Sequence, residues 1–182
     1  HLGHQKVFEK TRLIAKKEKI KFGILTFTPL PVMFFNKKIK NYRLVSEKQK
    51  IKLFKKYKVD FIVNVNFNKK FSKVSAENFI KRYLYNKLQV KLLAVSNNFK
   101  FGRKRKGDIN LLKKFSQICG YKLLNIEPYK NLKKTVSSTI IRKNLTKGNI
   151  SLANKLLSRT WFIEGIVEKG QKIGRQLGYR TC

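Results

Sequence analysis

Residues 20–27, Ile20-Lys21-Phe22-Gly23-Ile24-Leu25-Thr26-Phe27, make a mostly apolar run of strand length, and Thr28-Pro29-Leu30-Pro31 ends it. Proline donates nothing to a ladder, so regular pairing stops there and a lysine-rich loop is expected to follow. Ahead of this run, Gln5 to Lys17 carries Val7, Phe8, Ile14 and Ala15 at the spacing of one buried helix face. Behind it, Ser46 is a suitable N-cap for a helix to about Tyr57, with Ile51, Leu53 and Phe54 as its apolar members. Val59 to Val65 is a second apolar run, broken by Asp60 and Asn64, and reads as a strand buried on both faces. A helix from Ser75 to Leu88, a short strand from Lys91 to Val95, a loop over 96–107 and a helix capped by Asp108 and ending at Cys119 come next. Tyr121 to Ile126 returns as a strand. Ser137 or Ser138 opens a helix to Lys147 that Gly148 stops, and Ile150 to Leu157 forms one more.

Strand and helix alternate, with connections long enough for crossovers. The expected class is therefore α/β, an open parallel sheet with helices on both faces. In such a sheet ligands bind outside the carboxyl ends of the strands, and His1 stands where a strand ahead of residue 20 would end, so a first strand is expected before it. From Trp161 the pattern changes: Trp161, Ile163 and Val167 alternate, with Gly165, Gly170, Gly174 and Gly178 as turn signals. Two regions follow, residues 1–158 as the α/β domain and 159–182 as the truncated opening of a β-rich domain.

The formal net charge of +35 first suggests a partner that carries phosphates. The lysines, however, are spread over nearly every segment and accompany abundant Asn, Ile and Phe, a mixture that solvated helix faces explain as well. Only Arg103-Lys104-Arg105-Lys106 is a dense basic cluster, read as a mobile loop beside a phosphate-bearing ligand; a dedicated nucleic-acid surface is not expected. With 42% hydrophobic and 12% aromatic residues the chain is not a disordered basic tail. Cys119 and Cys182 cannot build a disulfide framework and have no Cys or His at metal-ligand spacing, which fits a reducing cytoplasm and no protein-held metal. No apolar run approaches bilayer length, and the start lacks a signal-peptide pattern.

Two motifs carry chemistry. His1-Leu2-Gly3-His4 stands at a helix start, where free N–H groups favour a phosphate; histidines three apart point to one side, and Gly3 between them leaves the backbone open. Two imidazoles so placed can donate to phosphate oxygens while charge rearranges. Taken alone, the pair could equally be solvent-exposed. Val136-Ser137-Ser138-Thr139-Ile140-Ile141-Arg142 opens another helix, with hydroxyls and, one turn on, a guanidinium for the same kind of group; taken alone it is an ordinary N-cap and a surface arginine. Together they read as two halves of a triphosphate clamp.

His1-Leu2-Gly3-His4 resembles the HxGH signature of adenylyl- and cytidylyltransferases, and Val136 to Arg142 resembles their I-S-S-T-x-x-R motif. Three further segments resemble the prokaryotic bifunctional riboflavin kinase/FMN adenylyltransferases: Thr26-Phe27-Thr28-Pro29-Leu30-Pro31 is similar to T-F-x-P-H-P, Asn98-Phe99-Lys100-Phe101-Gly102 with Lys106-Gly107-Asp108 to the flavin loop, and Gly174 to Thr181 to the G-R-x-L-G-x-P-T that opens the kinase module. The resemblance runs the length of the chain. It implies a nucleotidyltransferase (Rossmann-like) sheet followed by the first strands of a truncated β-barrel, ATP (with Mg²⁺) and FMN as substrates, and FAD and pyrophosphate as products. It further implies His1, His4 and Arg142 as catalytic, the histidines at the α-phosphate and Arg142 at the leaving group. Gly3, Thr26, Ser137, Ser138 and Thr139 would bind ATP, Asn98 and Phe101 the flavin, while Gly178 and Thr181 belong to the kinase-like motif. No covalent intermediate is expected, because the motifs hold no nucleophile.

Leu30 stands where the family has a histidine, Ser96 where it has a glycine, Arg180 where it has a proline, and Cys182 where it has an alanine. The kinase reaction is not expected of residues 159–182. An adenylyltransferase with another acceptor would share the histidine and serine-arginine motifs without explaining the flavin loop or the tail, and a basic nucleic-acid-binding protein would explain the charge alone.

Overall fold

The structure is a computed structural model that describes residues 1–39, 42–131, 134–166 and 173–179. Helix α1, Leu2–Lys17, is capped by the His1 side chain and leads to strand β1, Gly23–Thr28. Pro31 does more than stop the strand. It occupies the first turn of a short helix, α2, Pro31–Phe35, where its absent N–H is no loss, so part of the expected loop is helical. Helix α3, Glu47–Lys56, starts on a full capping box: Gln49 N–H donates to Ser46 Oγ at 3.2 Å and Ser46 N–H donates to Gln49 Oε1 at 2.9 Å.

Strand β2, Phe61–Asn66, pairs in parallel with β1 from Gly23↔Phe61 to Thr28↔Asn66. The two polar interruptions of this run join the strands. Asp60 Oδ2 accepts from Phe22 N–H at 2.6 Å, and Asn64 Oδ1 accepts from Thr28 Oγ1 at 2.9 Å. The expected burial on both faces fails: Phe61 is 45% and Ile62 36% exposed, so the run is not covered on both faces among the described residues.

One turn, α4, Lys69–Ser72, precedes α5, which begins as Ala76–Asn78 behind the Ser75 cap and continues as Phe79–Lys87 with wider i→i−5 winding, closing with Leu88 N–H to Tyr83 O at 3.0 Å. Strand β3, Leu92–Ser96, pairs in parallel with β4, Lys122–Ile126, across helix α6, Ile109–Cys119. Asp108 caps α6 by accepting from Leu111 N–H at 3.1 Å, and Gly120 ends it in the left-handed region. A two-residue hairpin, β5 Lys130–Asn131 with β6 Lys134–Thr135, leads to α7, Ser138–Thr146, and α8, Ile150–Leu157.

The parallel α/β class holds, but the sheet is not continuous. Among the described residues β1–β2 and β3–β4 are separate ladders. They share a core nonetheless: Leu25 of β1 packs on the cluster of Ile80, Leu84, Val95, Leu112 and Phe115. A second cluster, built on Val136, Ile141, Ala153 and Leu157, takes Leu2 from α1 and Trp161 from the segment after α8.

The expected strands after Trp161 do not form among the described residues. Residues 161–166 form no regular structure, with Ile163 82% and Ile166 91% exposed, and Gly174 lies in a short helix, α9, Ile173–Gln176, not in a turn. Alternating apolar residues make a strand only when another strand pairs with its edge and a packed layer covers its apolar face. Val167, Gly170, Arg180, Thr181 and Cys182 lie outside the described residues. No described helix is long and apolar enough to cross a membrane.

Candidate active site

In an open α/β sheet, ligands bind where helix N-termini and strand C-termini share an edge. The two motifs meet through the first turn of α1. His1 Nδ1 accepts from His4 N–H at 3.3 Å, and the two imidazoles stack with centroids 4.0 Å apart. Gly3 lies between them and the other motif: a Cβ there would stand 3.1 Å from the His1 ring and 3.3 Å from Val136 O, the carbonyl just ahead of Ser137. Leu2 in the Ile141 cluster and Gln5 Nε2, donating to Leu157 O at 2.8 Å, hold the first turn of α1 against α7 and α8. A side chain at Gly3 would need the His1 ring and the Val136 carbonyl to give by a few tenths of an ångström.

Ser137 caps α7, accepting from Ile140 N–H at 3.4 Å, which leaves the N–H groups of Ser138 and Thr139 at the helix start without intrahelical partners. The approach of Gly3 to Val136 O brings the starts of α1 and α7 near each other, and the positive partial charge at each helix start favours an anion. His4 keeps an exposed face, yet its pKa is lowered to about 4, chiefly by the atoms crowding its ring. At neutral pH it is an uncharged imidazole that donates one hydrogen bond.

Arg142, one turn into α7, is held from outside its motif. Its Nε donates to Tyr42 O at 2.8 Å, and its guanidinium carbon stands 3.6 Å from the centre of the Tyr42 ring. Nothing in the sequence flagged Tyr42, because a contact across such a separation leaves no local pattern. Trp161, noted only for its alternation, closes the same assembly: its Nε1 donates to Leu44 O at 2.9 Å.

The flavin-loop residues sit at the carboxyl end of β3. Asn98 Oδ1 accepts from Ser96 Oγ at 2.8 Å, so the serine that replaces the family's glycine occupies one lone pair of Asn98. Phe101 is only 8% exposed, packed against Phe79 and Phe99 and bridged to Gly107. Nor is Arg103–Lys106 a free loop: Arg103 N–H donates to Val74 O at 2.8 Å, and Gly102 seats directly on Ala76. Arg103, Lys104 and Lys106 line a depression of about 370 Å³ with Ser75 and Ala76. Thr26 stands in β1 opposite Asn64, towards the same carboxyl edge, and no described contact joins Thr26 or Asn98 to the histidines. Gly178, at φ +84°, follows α9; Thr181 lies outside the described residues. No three of His, Cys, Asp and Glu gather to cage a metal among the described residues.

Comparison with known proteins shows the family. A bifunctional riboflavin kinase/FMN adenylyltransferase of Buchnera aphidicola subsp. Schizaphis graminum is 44% identical over all of this chain and 59% of its own length, and the Escherichia coli K12 protein of the same name is 30% identical over all of this chain and 58% of its own. The chain thus spans somewhat over half the length of these relatives. A crystal structure described as a macrolide-efflux protein from Streptococcus pneumoniae superposes on 98% of this chain and 58% of its own with a TM-score of 0.84 at 23% identity, which speaks for the fold alone. The FAD synthetase family model matches residues 1–140, from the histidine pair through the first residues of α7, and the chain belongs to that family.

Proposed function

We propose that residues 1–158 form an FMN adenylyltransferase domain that binds Mg·ATP and FMN and makes FAD and pyrophosphate. The observation that carries this reading is the seating of Gly3 between the His1 ring and Val136 O, which brings the histidine pair to the start of the serine-arginine helix. A phosphate oxygen of FMN attacks the α-phosphorus of ATP; the bond from that phosphorus to the bridging oxygen of the β-phosphate breaks, and pyrophosphate leaves with the electron pair. His1 and His4 donate to the α-phosphate oxygens, while Ser138, Thr139 and Arg142 steady the β- and γ-phosphates. Gly3, Thr26 and Ser137 shape the ATP side and Asn98 the flavin side. Among the described residues no cluster of carboxylates gathers, and in this reading Mg²⁺ arrives on the triphosphate as part of the substrate.

Residues 159–182 open a second domain in this proposal, and riboflavin phosphorylation is not assigned to them. The free thiol of Cys119 suits a reducing compartment such as the cytoplasm. The test is FAD and pyrophosphate formation by the full-length protein that carries this chain, set against its His4→Ala and Arg142→Ala variants. Loss of roughly two orders of magnitude in kcat in either variant supports the clamp. A folded wild-type protein that makes no FAD overturns the reading.

A further inference from the structure

We propose that Tyr42 is a positioning residue for adenylyl transfer, holding the Arg142 guanidinium ready for phosphate; this rests on the reading that Arg142 meets the triphosphate. The tyrosine contributes two groups. Its carbonyl takes the Nε proton at 2.8 Å, and its ring lies 3.6 Å from the guanidinium carbon, covering one face. Both contacts use the inner part of the guanidinium. Among the described residues the two Nη groups have no hydrogen-bond partner, and that fork is the part that matches a phosphate bidentately.

The neutrality of the partner matters. A carboxylate would also hold the side chain, but it would cancel the charge that the phosphates need. No carboxylate pairs with Arg142 among the described residues, and a carbonyl with an aromatic face leaves the full positive charge available. An arginine left unsupported would surrender several rotamers on binding; one already stacked surrenders fewer, which favours the bound and transition states alike.

The support is itself fastened. Leu44 O accepts from Trp161 Nε1 at 2.9 Å, Trp161 N–H donates to Asn154 Oδ1 at 2.7 Å, and Arg43 pairs with Glu47 at the start of α3. The segment 42–44 is thereby pinned between α3, α8 and the chain leaving α8. Tyr42 is held in place by contacts that Arg142 does not make.

The experiment is steady-state FAD synthesis by the full-length protein in four forms: Tyr42→Ala, Tyr42→Phe, Arg142→Ala and the double variant Tyr42→Ala/Arg142→Ala. Tyr42→Ala is expected to lower kcat/KM for ATP about tenfold, the size of a desolvated cation–π contact, with KM for FMN and the melting temperature unchanged. Tyr42→Phe keeps both ring and carbonyl and should restore the wild-type value. In the Arg142→Ala background, Tyr42→Ala should cost nothing more. A crippled Arg142→Ala enzyme beside an unaffected Tyr42→Ala, or losses that simply add, would overturn the positioning role alone. An unaffected Arg142→Ala enzyme would overturn the phosphate reading of Arg142 beneath it.

Discussion

At the scale of single residues, two glycines at positive φ differ in both conformation and surroundings. Gly120 (φ +70°, ψ 21°) is left-handed with nothing within 4 Å of a Cβ, whereas Gly102 (φ +72°, ψ 177°) adopts a backbone essentially reserved for glycine, and a Cβ there would stand 2.6 Å from the Ala76 backbone. Gly120→Ala should cost about 1 kcal/mol, while Gly102→Ala should cost at least about 3 kcal/mol, because a backbone clash adds to a conformation that side chains avoid. Urea unfolding of the two variants measures the gap; equal losses would mean the 102–107 loop is not seated on Ala76. His4 makes a second prediction. Its folded pKa of about 4 lies below the usual histidine value of about 6.5, so the unfolded chain binds more protons between these limits. Stability should rise with pH through that window and level off above it. Because one face of His4 is exposed, the effect should be modest, and an NMR titration midpoint near 6.5 would contradict the crowding described for the ring. Both motifs could be read along the chain, since helix starts are written in three or four consecutive residues. Tyr42 could not, because its partner is distant in sequence and the contact obeys no spacing rule.

At the scale of elements, caps were the most legible feature. Ser46, Asp108 and Ser137 each accept from the backbone N–H three residues on, as a cap dictates. Ser46→Ala breaks the capping box of α3 and should lower stability by about 1 kcal/mol in thermal or urea unfolding; no change would show the box is not formed in solution. Asp108 adds a pH signature. Its pKa is held low first by the Leu111 N–H and then by Lys100, 3.2 Å away, so its contribution is complete above the ordinary aspartate value and disappears as pH falls through the lower folded one. Acid unfolding of Asp108→Asn should therefore lose that segment of pH dependence. The elements that escaped the sequence reading depend on neighbours. The wide winding of 79–87 leaves the residue pattern of an ordinary helix intact, and the apolar alternation after Trp161 looks like a strand although no described strand pairs with it.

At the scale of the whole molecule, charge and sheet continuity dominate. Against +35 the described ion pairs are few: Glu47 takes Arg43 and Lys50, while Glu18, Asp108 and Glu164 take one lysine each. Lysines therefore mostly face one another through water, and screening should relieve that repulsion. The melting temperature should rise by several degrees between about 0.05 and about 0.5 M NaCl, where the screening length shrinks from roughly 14 to 4 Å, and a flat profile by calorimetry would show that the charges are too dispersed to repel. The two ladders, sharing a core without sharing hydrogen bonds, are the other global feature, and alternation of strand and helix could not announce it. What the sequence determined by itself was the order of parallel strands and helices, the caps and the two helix starts that carry the histidine and serine-arginine motifs, because periodicity, N-cap chemistry and the freedom of glycine act over a few neighbouring residues. Only the tertiary structure decided which pieces meet: Gly3 against Val136, Asp60 and Asn64 as links between β1 and β2, Phe101 as core, and Tyr42 on Arg142. Those outcomes depend on contacts between residues far apart in the chain, and such contacts are set by how whole elements pack.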